Sequence, residues 1–484
     1  MGWIYTILLL VVVIAAVVLA RTFNVKSRQI HDVKADMIEI DSTLAASHLS
    51  NALQIQTLSF VEEGKVDSEP FRIFRGLLEN HFPKVHAALK KEIIAGDSLL
   101  YTWTGTDPDL KPVLLLAHMD VVPVLVEPEN PWTEAPFSGR IKDGFIWGRG
   151  SLDDKHCLMG ILEAVEYLLA KGAIPRRTVM LAFGHDEEVG GLKGAAAISA
   201  VLTERNIHPE FILDEGGAIV NGLFGSLTVA ALGIAEKGYV TIKLTSEGKA
   251  GHSSQPPVHT TIGLLSAAIQ RIEAHPRPVK VEGVVASMLD YLGPEMLLLY
   301  RLAIVNRWLF GPLVNNFLSR QTYTRAMMHT THAVTMIAGG TKDNILPPSA
   351  SAAVNCRIIP GETVQQTVDY IKIIAGDPTL KVEPVSGFCN EPSPITSVES
   401  HAFHLLQRSI AQVFPKAVVA PYLVTGGTDT KHYAHLTDAI FRFSPAMLTN
   451  EDLARIHGRD ERIGVQVYSE MIRFYIQLLL NSIL

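Results

Sequence analysis

Apolar positions along the chain fall into two textures. Val113 to Ala117, Thr178 to Phe183 and Phe211 to Leu213 are short runs of mostly aliphatic side chains with almost no polar alternation. Such a run reads as a strand covered on both faces, which is the strand of a largely parallel sheet. Between these runs the period lengthens to that of a helix, as in Cys157 to Leu169, with Asp153 and Asp154 just upstream as cap-competent residues. Strands alternating with helices predict an α/β layer architecture. From Gly238 the pattern changes. Tyr239 to Thr245 alternates as a half-buried strand, Lys249 to Pro257 is a Gly/Ser/Pro loop, Thr261 to Glu273 is a helix, and Ser351 to Ile359 is a strand closed by Pro360-Gly361. After Gly361 the first texture returns. The expected organisation is one discontinuous α/β domain over residues 45–237 and 364–484, interrupted by an inserted α+β domain over 238–363.

Two further stretches stand apart. Ile4 to Ala20 is an apolar run of 17 residues broken only by Thr6, with Trp3 and Tyr5 at its rim and Arg21, Lys26 and Arg28 beyond it. Its length is at the short limit for crossing a bilayer, and the segment 1–24 lacks the basic start of a signal peptide. We expect an uncleaved membrane anchor, with secretion after cleavage as the alternative. If it is retained, the following positive charges favour a cytoplasmic body. A polar, helix-like linker is expected to follow through about residue 45. Inside the insert, about residues 284–330 are rich in apolar side chains: Met296 to Leu299, Leu302 to Val305 and Trp308 to Leu313. Arg301 and Arg307 interrupt any spanning window, so this reads as an amphipathic helical hairpin. It is expected to pack on the insert's own sheet or a second subunit, or else to form a wall for an acyl chain or a membrane surface.

Composition narrows the function. The 484 residues carry a net charge of -7 without a basic block, which excludes a nucleic-acid partner that would need clustered Lys and Arg. Three cysteines, Cys157, Cys356 and Cys389, make neither a disulfide framework nor a thiolate metal site. The chain is longer than one core usually supports, as expected for a multi-domain enzyme.

Candidate chemistry gathers at strand ends. The strand Val113 to Ala117 runs into His118-Met119-Asp120, and the two-residue strand period places His118 and Asp120 on one side. There a carboxylate can set the tautomer of a metal-binding imidazole. Asp153 and Asp154 sit in a Gly-turn before a helix, where the simplest role is an N-cap. Gly184 to Gly191 stacks Asp186, Glu187 and Glu188 after a second buried run, and Asp214-Glu215-Gly216-Gly217 follows a third. Each is unremarkable alone. Three strands of one parallel sheet all ending in His or acid point to one crevice, where repulsion between carboxylates calls for cations. Hard carboxylates with neutral imidazoles suit Zn²⁺, with Mn²⁺ or Co²⁺ as permissible substitutes.

The strings LLLAHMDVVP, PFSGRIKDGFIWGRGSLDDK, GHDEEVGG, LDEGG, GHSSQPP and RIHGRDE resemble the dinuclear zinc peptidase family of glutamate carboxypeptidase, aminoacylase and carboxypeptidase S. Within it, the chain looks most like carboxypeptidase S and the N-fatty-acyl-amino-acid synthase/hydrolase. The resemblance implies a metallopeptidase catalytic domain with an inserted ferredoxin-like lid and dimerisation domain. It implies that His118 and Asp214 bind one zinc, Glu188 and His457 the other, and Asp153 bridges them, while Asp120 orients His118 and Glu187 is the general base. By the same resemblance His252 reaches a neighbouring subunit's site in a homodimer, and Asn344, Arg357, Gly426 and Gly427 contact the substrate. The substrate would be a small peptide or an N-acyl amino acid with a free carboxylate, gripped by the two-pronged guanidinium of Arg357. A catalytically inactive, membrane-tethered binding protein of the same fold is the rival expectation. Such a protein should have lost a ligand or the base, yet all six metal-site groups are in place.

Overall fold

The computed structural model describes residues 2–31, 33–60, 67–124, 129, 131–224 and 227–483. The apolar runs become the centre of a ten-stranded sheet. There Val179–Gly184, Val113–His118, Phe211–Asp214 and Ile440–Arg442 lie side by side and parallel. On one side Ser98–Trp103 and Lys90–Ile94 pair antiparallel; on the other Leu227–Glu236 and Ile219–Phe224 do so, while Met447–Leu448 and Ala417–Val424 add in parallel. Along Val113–His118 the side chains go alternately to two cores. Val113, Leu115 and Ala117 meet the helices Lys155–Ala170 and Val465–Ile483, whereas Leu114 and Leu116 meet Ala195–Glu204. Burial on both faces explains why the run shows no polar alternation. Parallel strands also end together, so His118, Gly184 and Asp214 arrive at the same edge of the sheet.

The insert is a second layer pair. Its sheet has the order Thr331–Gly339, Ser349–Ile358, Gly238–Glu247, Lys381–Asn390, all antiparallel. The helices Thr261–Ala274 and Val364–Ala375 supply Leu265, Ala268, Ile272, Val368 and Ile371 to the core beneath it. In chain order this is β-α-β-β-α-β, the ferredoxin-like arrangement. The expected boundary at 363 is therefore corrected. The second helix and the last strand of this unit lie in residues 364–390, because the central strand Gly238–Glu247 needs Lys381–Asn390 to cover its free edge.

The apolar stretch of the insert goes elsewhere than to the insert's own sheet. Gly283–Leu292 lies against the strand Ala417–Val424 of the large sheet, and Val284, Val285, Met288, Leu289 and Leu292 join the core of the larger body. The helices Leu298–Val305 and Arg307–Ser319 follow as a hairpin. The N-terminal run is a helix, Gly2–Asn24, long and apolar enough to cross a membrane and mostly exposed. The linker after it corrects a second expectation, since the described residues between 25 and 41 are not helical. Instead Gln29 exchanges hydrogen bonds with the backbone of Val419 at 3.0 and 2.9 Å. Gln407 and Gln412 donate to the carbonyls of Arg28 and Lys34 at 2.8 and 2.6 Å. These side chains of the body take the place of a helical ladder.

Candidate active site

His118 closes its strand with its ring buried, and its Nδ1 lies 3.0 Å from the Asp120 carbonyl and 3.3 Å from Asp120 Oδ1. The Asp120 carboxylate also accepts the backbone N–H groups of Glu187 and Glu188, both at 3.1 Å. One buried carboxylate thus fixes the imidazole and the turn that carries the next two acids. The Nε2 of His118 faces Asp153 Oδ1 at 3.0 Å and Glu215 Oε1 at 3.3 Å. The other oxygen of Asp153 lies 3.0 Å from His457 Nε2, which meets Glu188 Oε2 at 3.1 Å. Asp153 therefore stands between two donor groups, one oxygen turned to each. The capping role open to it in the sequence is not used: the helix Lys155–Ala170 begins at Asp154 with no side-chain cap hydrogen bond.

The loops that bring these residues together are fastened by two buried residues that sequence reasoning passes over. Arg149 pairs with Glu461 and donates to the carbonyls of His457 and Gly458, each at 3.1 Å. Glu461 accepts the N–H groups of Gly150 and Leu152 at 2.9 and 2.8 Å. Asp153 and His457, far apart in the chain, are held in register by this clamp. Both residues lie inside the motif strings, so burial is the only signal that was missing.

Electrostatics mark the cluster as short of positive charge. Burial pushes the Glu215 carboxyl up to about 8, with Asp153 adding to it, and burial pushes Asp214 up to about 6. Burial also raises Glu187 well above the usual carboxylate range, and Glu188 is raised by burial and by Asp153. Burial opposes ionisation of Asp153, yet the imidazoles of His118 and His457 hold it well below that range. His457 is pushed up to about 10 by its hydrogen bonds to Asp153 and Glu188. Asp214 Oδ2 and Asp154 Oδ1 are buried with no hydrogen-bond partner among the described residues. The four contacts between imidazoles and carboxylates span 3.0–3.3 Å. That is close to the edge of a tetrahedron of ligands about 2.0–2.1 Å from a shared ion, roughly 3.3–3.4 Å. Donor set, charge and spacing all fit a pair of divalent cations.

The remaining expected residues divide. A cavity of about 1020 Å³ is lined by Asp153, Glu187, Glu188 and His457 together with Arg357, Gly426 and Gly427. In it the Arg357 guanidinium lies 4.6 Å from the Tyr239 ring centre. His252 and Asn344 are not among the residues lining it. They sit together on an exposed flap, Gly251–His252 paired with Ile345–Leu346, with Ser253 N–H donating to the Asn344 carbonyl at 3.1 Å. Asp214 lies buried beside the cluster with its Oδ2 unpartnered among the described residues. Its Oδ1 accepts the Glu215 N–H at 3.0 Å, and Glu215, not Asp214, reaches His118. The LDEGG string shows both acids and cannot say which.

Strand ends of a parallel sheet that deliver imidazoles and carboxylates at metal-ligand spacing, beside a cavity with an arginine, define a metal-dependent hydrolase. Comparison with known proteins narrows the class: residues 114–481 match Peptidase family M20/M25/M40, and the chain belongs to that family. One solved structure of similar fold, the YXEP protein of Bacillus subtilis, is a dinuclear metal-binding peptidase of the M20 family. The chain is 41% identical over 470 residues to the probable carboxypeptidase S-like 2 of Dictyostelium discoideum, covering 95% of this chain and 90% of that one. It is 38% identical over 482 residues to the N-fatty-acyl-amino acid synthase/hydrolase PM20D1 of Xenopus tropicalis, covering 97% and 93%. The M20 family metallo-carboxypeptidase Sso-CP2 of Sulfolobus solfataricus shares the fold, with a TM-score of 0.68 at 19% identity over 92% of this chain and 100% of that one. The expected α/β metallopeptidase fold and peptidase-type hydrolase class are borne out.

Proposed function

We propose that the chain is a two-zinc amidohydrolase that cleaves the amide between an acyl or peptidyl group and an amino acid with a free carboxylate. The observation that carries this reading is the placement of Asp153 between His118 and His457 at 3.0 Å from each, in a cavity that also holds Glu187 and Arg357. His118, Asp153 and Glu215 would hold one zinc, and Asp153, Glu188 and His457 the other, so Glu215 replaces Asp214 in the expected set. Zinc bound there would acidify a water at neutral pH and lend Lewis acidity at the scissile carbonyl. Glu187 takes the proton of the attacking water and delivers it to the leaving amine nitrogen, a task suited to a carboxyl that burial pushes upward. Arg357, with the backbone N–H groups at Gly426 and Gly427, grips the substrate carboxylate. His252, with Asn344 beside it on the flap, acts in the site of a second copy of the chain, where its imidazole donates to the developing oxyanion. With every one of these groups present, the reading as an inactive binding protein has no support.

Among substrates we favour an N-acyl amino acid over a short peptide. Tyr323, Tyr422, Leu448, Leu453 and Ile456 contribute to the cavity lining the apolar surface an acyl chain needs. We read the helix Gly2–Asn24 as a retained membrane anchor. Hydrolysis of an N-oleoyl amino acid and of an N-terminally blocked dipeptide, each with and without chelator, tests the reading. The expected outcome is metal-dependent cleavage of both, with the higher kcat/KM for the oleoyl compound. A clear preference for the dipeptide makes the chain a carboxypeptidase, and chelator-insensitive cleavage removes the metal mechanism.

A further inference from the structure

The helices Leu298–Val305 and Arg307–Ser319 bury one side against the body through Ile304, Val314 and Leu318. The other side is exposed and apolar: Leu297, Leu298, Leu299, Trp308, Leu313 and Phe317 are each at least half accessible. That is a large greasy face to leave in water. Its neighbour says what covers it. Ile14, Val18 and Thr22, one face of the N-terminal helix, are the residues of its last turns with reduced exposure, and this helix packs on Leu298–Val305. The buried Asn306 at the hairpin bend donates to the Val18 carbonyl at 3.3 Å and to Thr22 Oγ1 at 3.0 Å.

This contact sets a depth. From Ile14 to Thr22 the helix advances about 12 Å. The apolar run ends at Ala20, and Arg21, Lys26 and Arg28 mark the polar boundary. The hairpin therefore stands level with the last part of the apolar helix and the headgroup zone beyond it, where amphipathic helices sink roughly 5–10 Å. The hydrogen bonds of Gln29 to Val419, and of Gln407 and Gln412 to linker carbonyls, keep the helix from swinging away from the body. Charge agrees with position. Residues 296–328 contain no Asp or Glu but include Arg301, Arg320 and Arg325, with Arg307 paired to Asp290 at 2.6 Å, a balance that suits anionic headgroups. The same stretch continues into Thr322–Met327, whose Tyr323 lines the cavity.

We propose that this hairpin is a second membrane contact, a monotopic surface whose exposed apolar face is covered by the lipid bilayer beside the anchor. The inference rests on reading Gly2–Asn24 as a membrane span, and its test separates the two. Of the five tryptophans, Trp3 and Trp308 are exposed on the helix and the hairpin, while Trp103, Trp132 and Trp147 lie in the body. The full chain is reconstituted in phosphatidylcholine/phosphatidylserine vesicles containing chain-brominated lipid, and tryptophan quenching is compared for the native chain, Trp308→Phe and Trp3→Phe. The expected result is that Trp308→Phe loses a share of the quenchable emission comparable to that lost in Trp3→Phe. Quenchable emission unchanged in Trp308→Phe but reduced in Trp3→Phe overturns the hairpin contact while the anchor stands, and the face is then covered by another protein surface such as a second copy. Loss in Trp308→Phe alone supports the hairpin and removes the anchor. No loss in either variant removes both.

Discussion

Glu215 and Asp214 are neighbours in the chain with different surroundings. Glu215 lies 3.3 Å from His118 Nε2, whereas Asp214 binds the Glu215 N–H and keeps its other oxygen unpartnered. A ligand contributes more to metal binding than a residue behind it, whose loss costs about 10–100-fold. Glu215→Gln should therefore weaken zinc binding by more than about 100-fold and Asp214→Asn by about 10–100-fold, measured by calorimetric titration of the metal-free protein. The reverse ranking would restore Asp214 to the ligand set. At this scale much of the site is legible in the sequence. His118, Asp153, Glu187, Glu188 and His457 stand in motifs whose spacing survives folding. The choice between two consecutive acids depends on which way the strand end turns, and the string LDEGG does not contain that information. His252 and Asn344 are legible only through the resemblance, since within one chain they lie on an exposed flap outside the cavity.

Arg149 and Glu461 tie the loop before the helix Lys155–Ala170 to the loop that carries His457, through bonds that a single side chain makes to a carboxylate and two carbonyls. We expect Arg149→Met to lower zinc affinity by about 10–100-fold, because the two loops that must meet across the metal pair lose their tie. Arg149→Lys should fail to restore it, since an ammonium lacks the planar fork that serves three acceptors. Zinc titration of both variants decides this, and native affinity in either would show that the loops are held by something else. Elements buried on both faces are the ones the sequence shows most plainly, as with Val113–His118 and Val179–Gly184. What it hides is which element covers which. The helix Val364–Ala375 looks like the resumption of the first domain, yet its apolar side chains belong to the insert's core. Gly283–Leu292 looks like part of the insert, yet it covers the strand Ala417–Val424. Periodicity gives a face its apolar character and says nothing of its partner.

In the whole molecule the flap is the part that a single chain leaves unused, and assembly in pairs would give it a site to complete. Mixing is the decisive assay for that arrangement. His252→Ala and Glu187→Gln chains should each be nearly inactive alone, whereas equal mixing should recover about a quarter of native turnover, because half of the dimers are mixed and each of those has one intact site. No recovery after exchange of subunits would place His252 in its own chain's chemistry or outside catalysis. The reading of the molecule as a hydrolase depends on Glu187 acting beside a metal pair that it does not itself hold. Turnover and metal content of Glu187→Gln, measured on the same sample, test this most directly. The account predicts two zinc ions per chain, as in the native protein, with kcat lower by about 10²–10⁴-fold. Native turnover with the metal retained would contradict it.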